Sequence, residues 1–294
     1  MLERLARLDS LPRLTIYIVL FTVAAIPFLL PIRLPLYIWK ETRNAYQITG
    51  KIPDDKVVAI CSNWNGSNQG ELWSQYEAIV TQCMLSGKKL VVFSVDADPI
   101  APQFAENINE FLGKRYGKVY GKDWVNLGLS RGAPLTFGAI GRNVKAVYQH
   151  DYHNNSTRDY EKLPIMRNVN SARDFGACWM LDYTPDLNLM VFLDPSQRVP
   201  IMFGCAGITS SIYYPYISSG QLKGMTAGTR GGAEYEQMLK EEFKDKYQDR
   251  EVRGRRLIVP LAFGNMIVIL FIVVGNVGMV ARRRLVARDK AGSQ

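Results

Sequence analysis

The chain is poor in the side chains that most often bind metals. Its 294 residues include only two histidines. His150 and His153 lie three apart with Asp151 between them, a spacing that can bind zinc. No third ligand of suitable spacing follows, and the surrounding segment is polar, so an exposed loop is the better interpretation. We predict no metal site.

Cysteine is also scarce, and its pattern excludes the common cysteine motifs. The chain contains four cysteines and no CxxC pair. All four stand in apolar contexts, which favours reduced, buried thiols, although two disulfides remain arithmetically possible. Reduced thiols are typical of a cytosolic compartment. The four residues are Cys61, Cys83, Cys178 and Cys205.

The motifs that identify nucleotide binding or hydrolysis are missing. The loop at residues 62–70 is neither a GxGxxG fingerprint nor a Walker loop ending in GK[ST]. Ser130 lies in a Leu-Ser-Arg-Gly-Ala context that lacks the GxSxG elbow of α/β-hydrolases. The net charge of +9 belongs largely to residues beside two apolar runs, where basic side chains meet lipid headgroups. We therefore predict no cofactor and no nucleic-acid partner.

Long apolar runs, in contrast, are present near both ends of the chain. Residues 14–32 and 257–281 contain no charged side chain, and each is long enough to cross about 30 Å of hydrocarbon as a helix. The first run has the alternative interpretation of a signal peptide, but it is longer than the usual signal core and no small-x-small cleavage site follows. We predict two transmembrane helices bracketing one water-facing domain.

The apolar runs divide the chain into six predicted parts. The side of the membrane on which the domain lies is less clearly indicated. Basic residues flank both runs on both sides in similar numbers, so the positive-inside rule alone does not decide. The cysteine pattern favours a cytoplasmic domain in a prokaryotic cell membrane. The predicted parts are a basic segment at 1–13, a helix at 14–32, a connector at 33–51, the domain at 52–250, a helix at 257–281 and a basic tail at 282–294.

The middle of the chain alternates between strand and helix patterns. Continuous apolar runs at 56–61, 88–95 and 124–129 are typical of strands buried on both faces, and stretches with helical spacing separate them. Two later runs, at 189–193 and 199–203, are predicted as further strands. Alternation of this kind predicts an α/β domain with a doubly wound, mostly parallel sheet.

Candidate ligand contacts follow from the predicted sheet, because open α/β sheets bind ligands outside the carboxyl ends of their strands. Asp96 and Asp98 follow the second strand and offer paired carboxylates for a cation, or simply cap the next helix. Glycine near a helix start can open backbone amides towards an anion, or simply form a turn. The candidate residues are Asn63, Gly66, Asp96, Asp98 and Ser130.

Small residues at helical intervals indicate close packing in two places. Gly224, Gly228 and Gly232 are four apart and precede an amphipathic stretch, so two helices or two protomers can approach closely there. In the second apolar run, glycine and asparagine recur eleven positions apart and so share one helix face, which suits contact inside a bilayer. Those residues are Gly264, Asn265, Gly275 and Asn276.

Several segments of the middle domain form a recognisable set: the strand–helix opening and residues 121–128 (GKDWVNLG), 163–166 (LPIM), 214–216 (YPY), 219–222 (SGQL) and 231–235 (GGAEY). With these segments the chain resembles a group of prokaryotic membrane-anchored α/β proteins with no established activity. The likeness covers most of the middle domain and both anchors. It implies two transmembrane helices flanking a Rossmann-like domain and carries over no catalytic residue.

The absence of a catalytic constellation, together with the small-residue stripes, favours a scaffold. We expect an assembly subunit of an integral-membrane complex, whose domain contacts other membrane proteins or further copies of itself close to the lipid bilayer. The alternative is a membrane-bound enzyme or ligand sensor that uses the loops at the carboxyl ends of the strands.

Overall fold

The computed structural model describes residues 12–29, 36–192, 199–247 and 253–292. The chain divides into two compact units. One unit is the domain formed by residues 36–255, and the other consists of the two terminal segments on either side of it. This unit contains the predicted domain at 52–250 together with most of the predicted connector at 33–51.

The domain is built on a parallel sheet, which confirms the predicted α/β class. Every pair of neighbouring strands in it is parallel. The strand order is β3-β2-β1-β4-β5-β6, the order of a Rossmann-like sheet. The strands in the described part of the chain are β1 Val57–Ser62, β2 Lys89–Val95, β3 Trp124–Ser130, β4 Phe175–Leu181, β5 Ile201–Cys205 and β6 Gly224–Ala227.

Helices connect the strands and extend the chain at both ends. In chain order they are α1 Arg13–Leu29, α2 Lys40–Gly50, α3 Gln69–Leu85, α4 Ala101–Tyr116, α5 Leu135–Arg142, α6 Val144–Val147, α7 Asn188–Phe192, α8 Tyr214–Ser218, α9 Gly228–Phe243 and α10 Arg253–Gly292. Short 3-10 turns accompany them, including Ala172–Asp174 just before β4, where Ser171 and Asp174 form a capping box.

The sheet separates two apolar cores because both of its faces are covered. One face packs against helices α2, α3, α4 and α9 through residues such as Leu72 and Leu239. The other packs against α5, α6 and the segment between residues 163 and 172, through residues such as Phe137. All six residues of β1 are buried, as expected for a strand covered on both sides.

Helix α4 shows how local sequence sets the ends of these elements. Pro102 lies in its first turn, where the missing amide hydrogen costs no helical hydrogen bond. Gly117 ends it with a left-handed φ of 66°, and its amide donates to the Gly113 carbonyl. Lys114 and Arg115 occupy the last turn, where positive charge interacts favourably with the helix dipole.

The later half of the domain differs from the prediction. The predicted strand at 189–193 is wrong, since residues 188–192 form helix α7 and residue 193 lies outside the described residues. The Asp186 carboxylate accepts a hydrogen bond from the Asn188 amide and starts that turn. The strand predicted at 199–203 is β5, shifted by two residues. Strands β4 and β6 were not predicted.

Within the described residues of the terminal segments, one helix is long and apolar enough to cross a membrane. It spans Arg256–Arg288 within α10 and is mostly exposed. Helix α1 is apolar but shorter, at 17 residues. The last residues of the predicted first span, 30–32, lie outside the described part of the chain. The helix continues through the basic residues of the predicted C-terminal tail as far as Gly292.

Both ends of the domain are bound to the first half of α9. Glu234 is buried and accepts a hydrogen bond from the Trp39 amide at 3.1 Å. Arg230 forms an ion pair with Glu234 at 2.8 Å and donates to the Tyr37 carbonyl at 3.2 Å. At the other end of the domain, the Gly254 amide donates to Glu236 at 3.1 Å.

Candidate functional site

The strand order reverses between β1 and β4, and this is where ligands bind in open α/β sheets. The chain leaves β1 towards α3, which covers one face, and leaves β4 towards α7, whose Leu189 packs in the core on the other face. The two connections therefore diverge to opposite faces of the sheet. In open α/β sheets this divergence forms a crevice at the carboxyl edge, next to the residues that follow the two strands, here β1 and β4.

Asn63, a predicted ligand contact, is used to join three strands. Its backbone amide donates to the Leu181 carbonyl at the end of β4, at 2.8 Å. Its side chain pairs with the backbone of Val95 on β2, donating at 2.8 Å and accepting at 3.1 Å. The side chain is also hydrogen-bonded to Asp182. Asn63 therefore holds the carboxyl ends of β1, β2 and β4 together and positions Asp182.

Asp182 is the residue at the crevice that the sequence analysis missed. It directly follows β4 and is half-buried. Burial raises the pKa of its carboxyl group from 3.8 to about 6, although hydrogen bonds from the Tyr183 and Thr184 amides and from Asn63 act in the opposite direction. The nearby Asp186 carboxylate raises the pKa further. Asp182 can thus donate or accept a proton close to neutral pH.

The predicted residues after β2 and β3 come together but stabilise their own loops. The Asp96 carboxylate accepts from the amides of Gly132 and Ala133 at 2.8 and 2.6 Å. Its own amide donates to the Ser130 carbonyl. Asp98 accepts from the Ile100 amide at 3.1 Å in the turn before α4, so it holds that turn and does not cap the helix, whose N-cap is Ile100. Gly66 is exposed in the loop after β1.

A second polar cluster lies at the carboxyl ends of β5 and β6. Gln75 of α3 is fully buried, and its amide group donates to the carbonyls of Cys205 and Gly228, both at 3.0 Å. Its side-chain oxygen accepts from Thr226 at 2.7 Å. One turn earlier, the Glu71 carboxylate accepts from the Gly207 amide at 2.7 Å. These contacts join α3 to the loops after both strands.

The three glycines before and within α9 are buried within the chain. A side chain on Gly224 would meet the backbone of Ala45 on α2 at 2.7 Å. Gly228 has a left-handed φ of 58° and lies against Gly207. Gly232 packs directly on Ser74 of α3. Close approach is thus used between elements of one chain, and these positions offer no surface to a second protomer.

The corresponding residues of the C-terminal helix remain open. A side chain added at Gly264 or Gly275 would meet nothing within 4 Å. Asn265 and Asn276 are exposed on the same helix. Contact between helices through these four residues stays a prediction.

The two histidines do not form a metal site with their neighbours. His153 is hydrogen-bonded to the buried Glu106 at 2.8 Å, and Glu106 also accepts from Asn126 at 3.0 Å. Burial is the main cause that raises the pKa of Glu106. Asp151 accepts from the Tyr120 hydroxyl at 2.8 Å. Across the described ranges, no three His, Cys, Asp or Glu side chains are grouped suitably for a metal ion.

The chain was compared with protein-family models and with curated protein sequences. No family model and no curated sequence matches it. The fold class and the site therefore rest on the sequence and structure of this chain alone.

The raised pKa of Asp182 predicts a specific pH dependence of stability. The folded state holds this proton more tightly than the unfolded state, so the free energy of unfolding should fall as pH rises from about 4 through the folded-state pKa of about 6, and become level about one pH unit above it. The expected loss is about 1–3 kcal/mol, from a shift of about two pKa units. Replacing Asp182 with asparagine should remove this component.

Urea unfolding of the full chain between pH 4 and pH 8 measures the effect. Asp186→Asn is the informative companion variant, because removing that charge should lower the pKa of Asp182 and shrink the slope without abolishing it. An unchanged slope in Asp182→Asn would show that other groups cause the pH dependence.

Proposed function

We propose that this protein is a membrane-anchored α/β domain that binds a small ligand at the carboxyl edge of its sheet, as an enzyme or a sensor. The observation that carries the proposal is Asp182. A half-buried carboxyl group with a pKa near 6, positioned by Asn63 at the point where the strand order reverses, combines the location and the perturbed acidity typical of functional groups.

The charge at this edge favours a neutral or cationic ligand with hydroxyl or amine donors. Carboxylates follow β2 and β4 and lie in the first turn of α3. Arg131 is a nearby positive charge, and its guanidinium donates to the Ala97 carbonyl at 3.0 Å. An anionic ligand would meet mostly negative charge here. The carboxylates that produce this field are Glu71, Asp96, Asp98, Asp182 and Asp186.

Membrane attachment of the domain is supported by the apolar runs at 14–32 and 257–281. The C-terminal one lies in a long, mostly exposed helix, and such a surface is stable in hydrocarbon and unfavourable in water. We place the domain in the cytoplasm of a prokaryotic cell. All four cysteines are buried and free, which supports a reducing compartment.

The test is thermal unfolding of the full chain in mild detergent with a panel of nucleosides, monosaccharides, polyols and amines. A ligand at a hundred times its Kd stabilises by about 2.7 kcal/mol, which is roughly 5–10 °C for a domain of this size. We expect this shift in the wild type and its loss in Asp182→Ala. The exposed Asp55, which precedes β1 at the opposite edge, provides the control Asp55→Ala.

If a ligand stabilises Asp182→Ala as strongly as the wild type, its site lies elsewhere and this proposal fails. The same is true if no compound in the panel raises the unfolding temperature of the wild type.

A scaffold that contacts other membrane proteins is the second candidate. Large apolar side chains are exposed at the carboxyl edge, notably Leu135 at the start of α5 at 78% and Ile208 in the 3-10 turn after β5 at 76%. Exposed apolar groups of this size are typical of protein contacts. The mass of the particle extracted from its native membrane in mild detergent distinguishes the candidates, since a scaffold predicts a large assembly or co-purifying subunits.

A further inference from the structure

A buried lysine lies on the face of the sheet opposite α4, away from the carboxyl-edge crevice. Lys145 belongs to α6 and is only 6% exposed. Its ammonium group donates to the Tyr160 hydroxyl oxygen at 3.0 Å and to the Asn170 side-chain oxygen at 2.8 Å. Among the described residues, no carboxylate forms an ion pair with it. Buried charges are usually paired, so this arrangement requires an explanation.

Both hydrogen bonds of Lys145 use an oxygen of the neighbouring side chain, so the N–H and O–H groups of the cluster stay available. Tyr160 and Asn170 both use an oxygen to accept from the ammonium group. What remains is the O–H of Tyr160, the NH2 group of Asn170 and one N–H of Lys145, none of which has a partner among the described residues. A group of donors without acceptors is suited to a negatively charged ligand.

Two arginines add positive charge around the same tyrosine. The Arg167 guanidinium lies 6.0 Å from the centre of the Tyr160 ring, and the Lys145 nitrogen lies 4.8 Å from it. Together with Arg158, they lower the pKa of the Tyr160 hydroxyl, with the hydrogen bond from Lys145 as the largest cause.

Of the three carboxylates near the cluster in sequence, Glu161 is exposed and is not among the groups that shift the pKa of the Tyr160 hydroxyl, and Asp159 and Asp174 are occupied elsewhere. Asp159 accepts from the amides of Glu161 and Lys162 and pairs with the Lys162 ammonium at 3.9 Å. Asp174 accepts from the amides of Asn170 and Ser171. Neither neutralises the charge around Tyr160.

We propose that this cluster binds a phosphate monoester. Lys145, Arg158 and Arg167 supply positive charge, and Tyr160 and Asn170 supply neutral donors to the phosphate oxygens. A dianionic phosphate matches this set better than a carboxylate does, because it has three terminal oxygens and takes up the charge of more than one cation. The phosphate is either that of a soluble metabolite or that of a lipid headgroup. The proposal is independent of the carboxyl-edge ligand.

The experiment measures binding to the full chain in mild detergent by titration calorimetry. The soluble probe is glycerol 3-phosphate, and the lipid probe is short-chain phosphatidic acid in mixed micelles, with short-chain phosphatidylcholine as its reference. Binding of glycerol 3-phosphate supports a soluble source. If phosphatidic acid binds while glycerol 3-phosphate and phosphatidylcholine do not, the phosphate belongs to a lipid headgroup. If neither phosphate binds, the proposal is overturned.

Asn170→Asp is the decisive variant. The new carboxylate still accepts from Lys145, so the local fold is retained, but its charge repels the phosphate. We expect affinity to fall by about tenfold to a hundredfold, the range for losing a hydrogen bond to a charged group. Asn44→Asp on α2, against the opposite face of the sheet, makes the same charge change and should leave binding unaltered.

A second pair of variants keeps the test valid if Asn170→Asp unfolds. Arg167→Gln removes one exposed positive charge of the cluster, and Lys114→Gln removes one from α4 on the other face. The first should weaken phosphate binding several-fold more than the second. Equal affinities in these two variants, or undiminished affinity in folded Asn170→Asp, would show that the phosphate binds elsewhere.

Discussion

Replacing Gly232 with leucine is expected to unfold the domain rather than to separate protomers. Gly232 lies where α9 crosses α3, and even a Cβ atom there would lie 2.9 Å from the Ser74 Cβ atom and 3.1 Å from the Gln75 nitrogen. Those atoms belong to α3, which cannot move without displacing the core of that face. Inserting atoms into packed cores costs about 1–3 kcal/mol and sometimes more, and leucine adds four of them. We expect a loss of about 4 kcal/mol or complete unfolding.

Gly70→Leu is the matched control, since a side chain at this helical glycine of α3 would meet nothing within 4 Å. Its effect on the free energy of unfolding should stay within about 0.5 kcal/mol. Circular dichroism and urea unfolding of both variants, with the particle mass measured in parallel, complete the comparison. A Gly232→Leu protein with wild-type stability but a smaller particle would restore the interpretation of Gly232 as a contact between protomers.

Replacing Gln75 with leucine is expected to cost about 3–6 kcal/mol. Leucine has a similar volume but no hydrogen-bonding group, so the carbonyls of Cys205 and Gly228 and the hydroxyl of Thr226 lose a buried partner. Each buried polar group left without one costs about 1–3 kcal/mol. Strand β6 has only four residues and pairs with β5 alone, so it should be the first part of the sheet to open.

Hydrogen exchange locates this effect. Amides of β5 and β6 should exchange much faster in Gln75→Leu, while those of β2 and β3 at the far side of the sheet should follow only the global change in stability. Gln237→Leu is the control, because Gln237 makes an exposed hydrogen bond to Glu241 on α9. Equal protection of β6 in the wild type and in Gln75→Leu would contradict a structural role for Gln75.

The first half of the sheet was predictable because its strands are long apolar runs separated by helical spacing. Strands β1, β2 and β3 were identified within one or two residues. Strand β4 carries a similar signal, since 175–181 (FGACWML) is apolar, but Gly176 interrupts it near its start. Strand β6 is four residues long and begins with glycine, so its pattern resembles a loop. Tertiary packing, rather than local sequence, makes it a strand.

The proposed site lies at the edge that the rule about carboxyl ends predicts, and Asn63 follows β1 at that edge, but its main residue was not among the predicted contacts. Asp182 was missed because the strand before it was missed, although an aspartate directly after an apolar run was available as a signal. Its raised pKa depends on burial and on Asp186, neither of which can be read before the fold is known.

Some predicted residues have roles that spacing cannot distinguish. A carboxylate after a strand can bind a ligand or hold a turn, and Asp96 and Asp98 accept hydrogen bonds from loop amides. Glycines four apart can face a partner chain or a neighbouring helix, and Gly232 faces α3. The cluster around Lys145 could not be predicted from sequence, because Tyr160 and Asn170 follow Lys145 by 15 and 25 residues.

The hydrogen bonds from both ends of the domain to α9 have a mechanical consequence. Glu234 and Glu236 lie two residues apart, yet one contacts the segment through which the chain enters the domain and the other the segment through which it leaves. Any displacement of α9 along its axis therefore moves entrance and exit together. Because α9 begins at Gly228, which lies against Gly207 in the segment after β5, a displacement at the carboxyl edge would move the parts of the domain around Trp39 and Gly254 together.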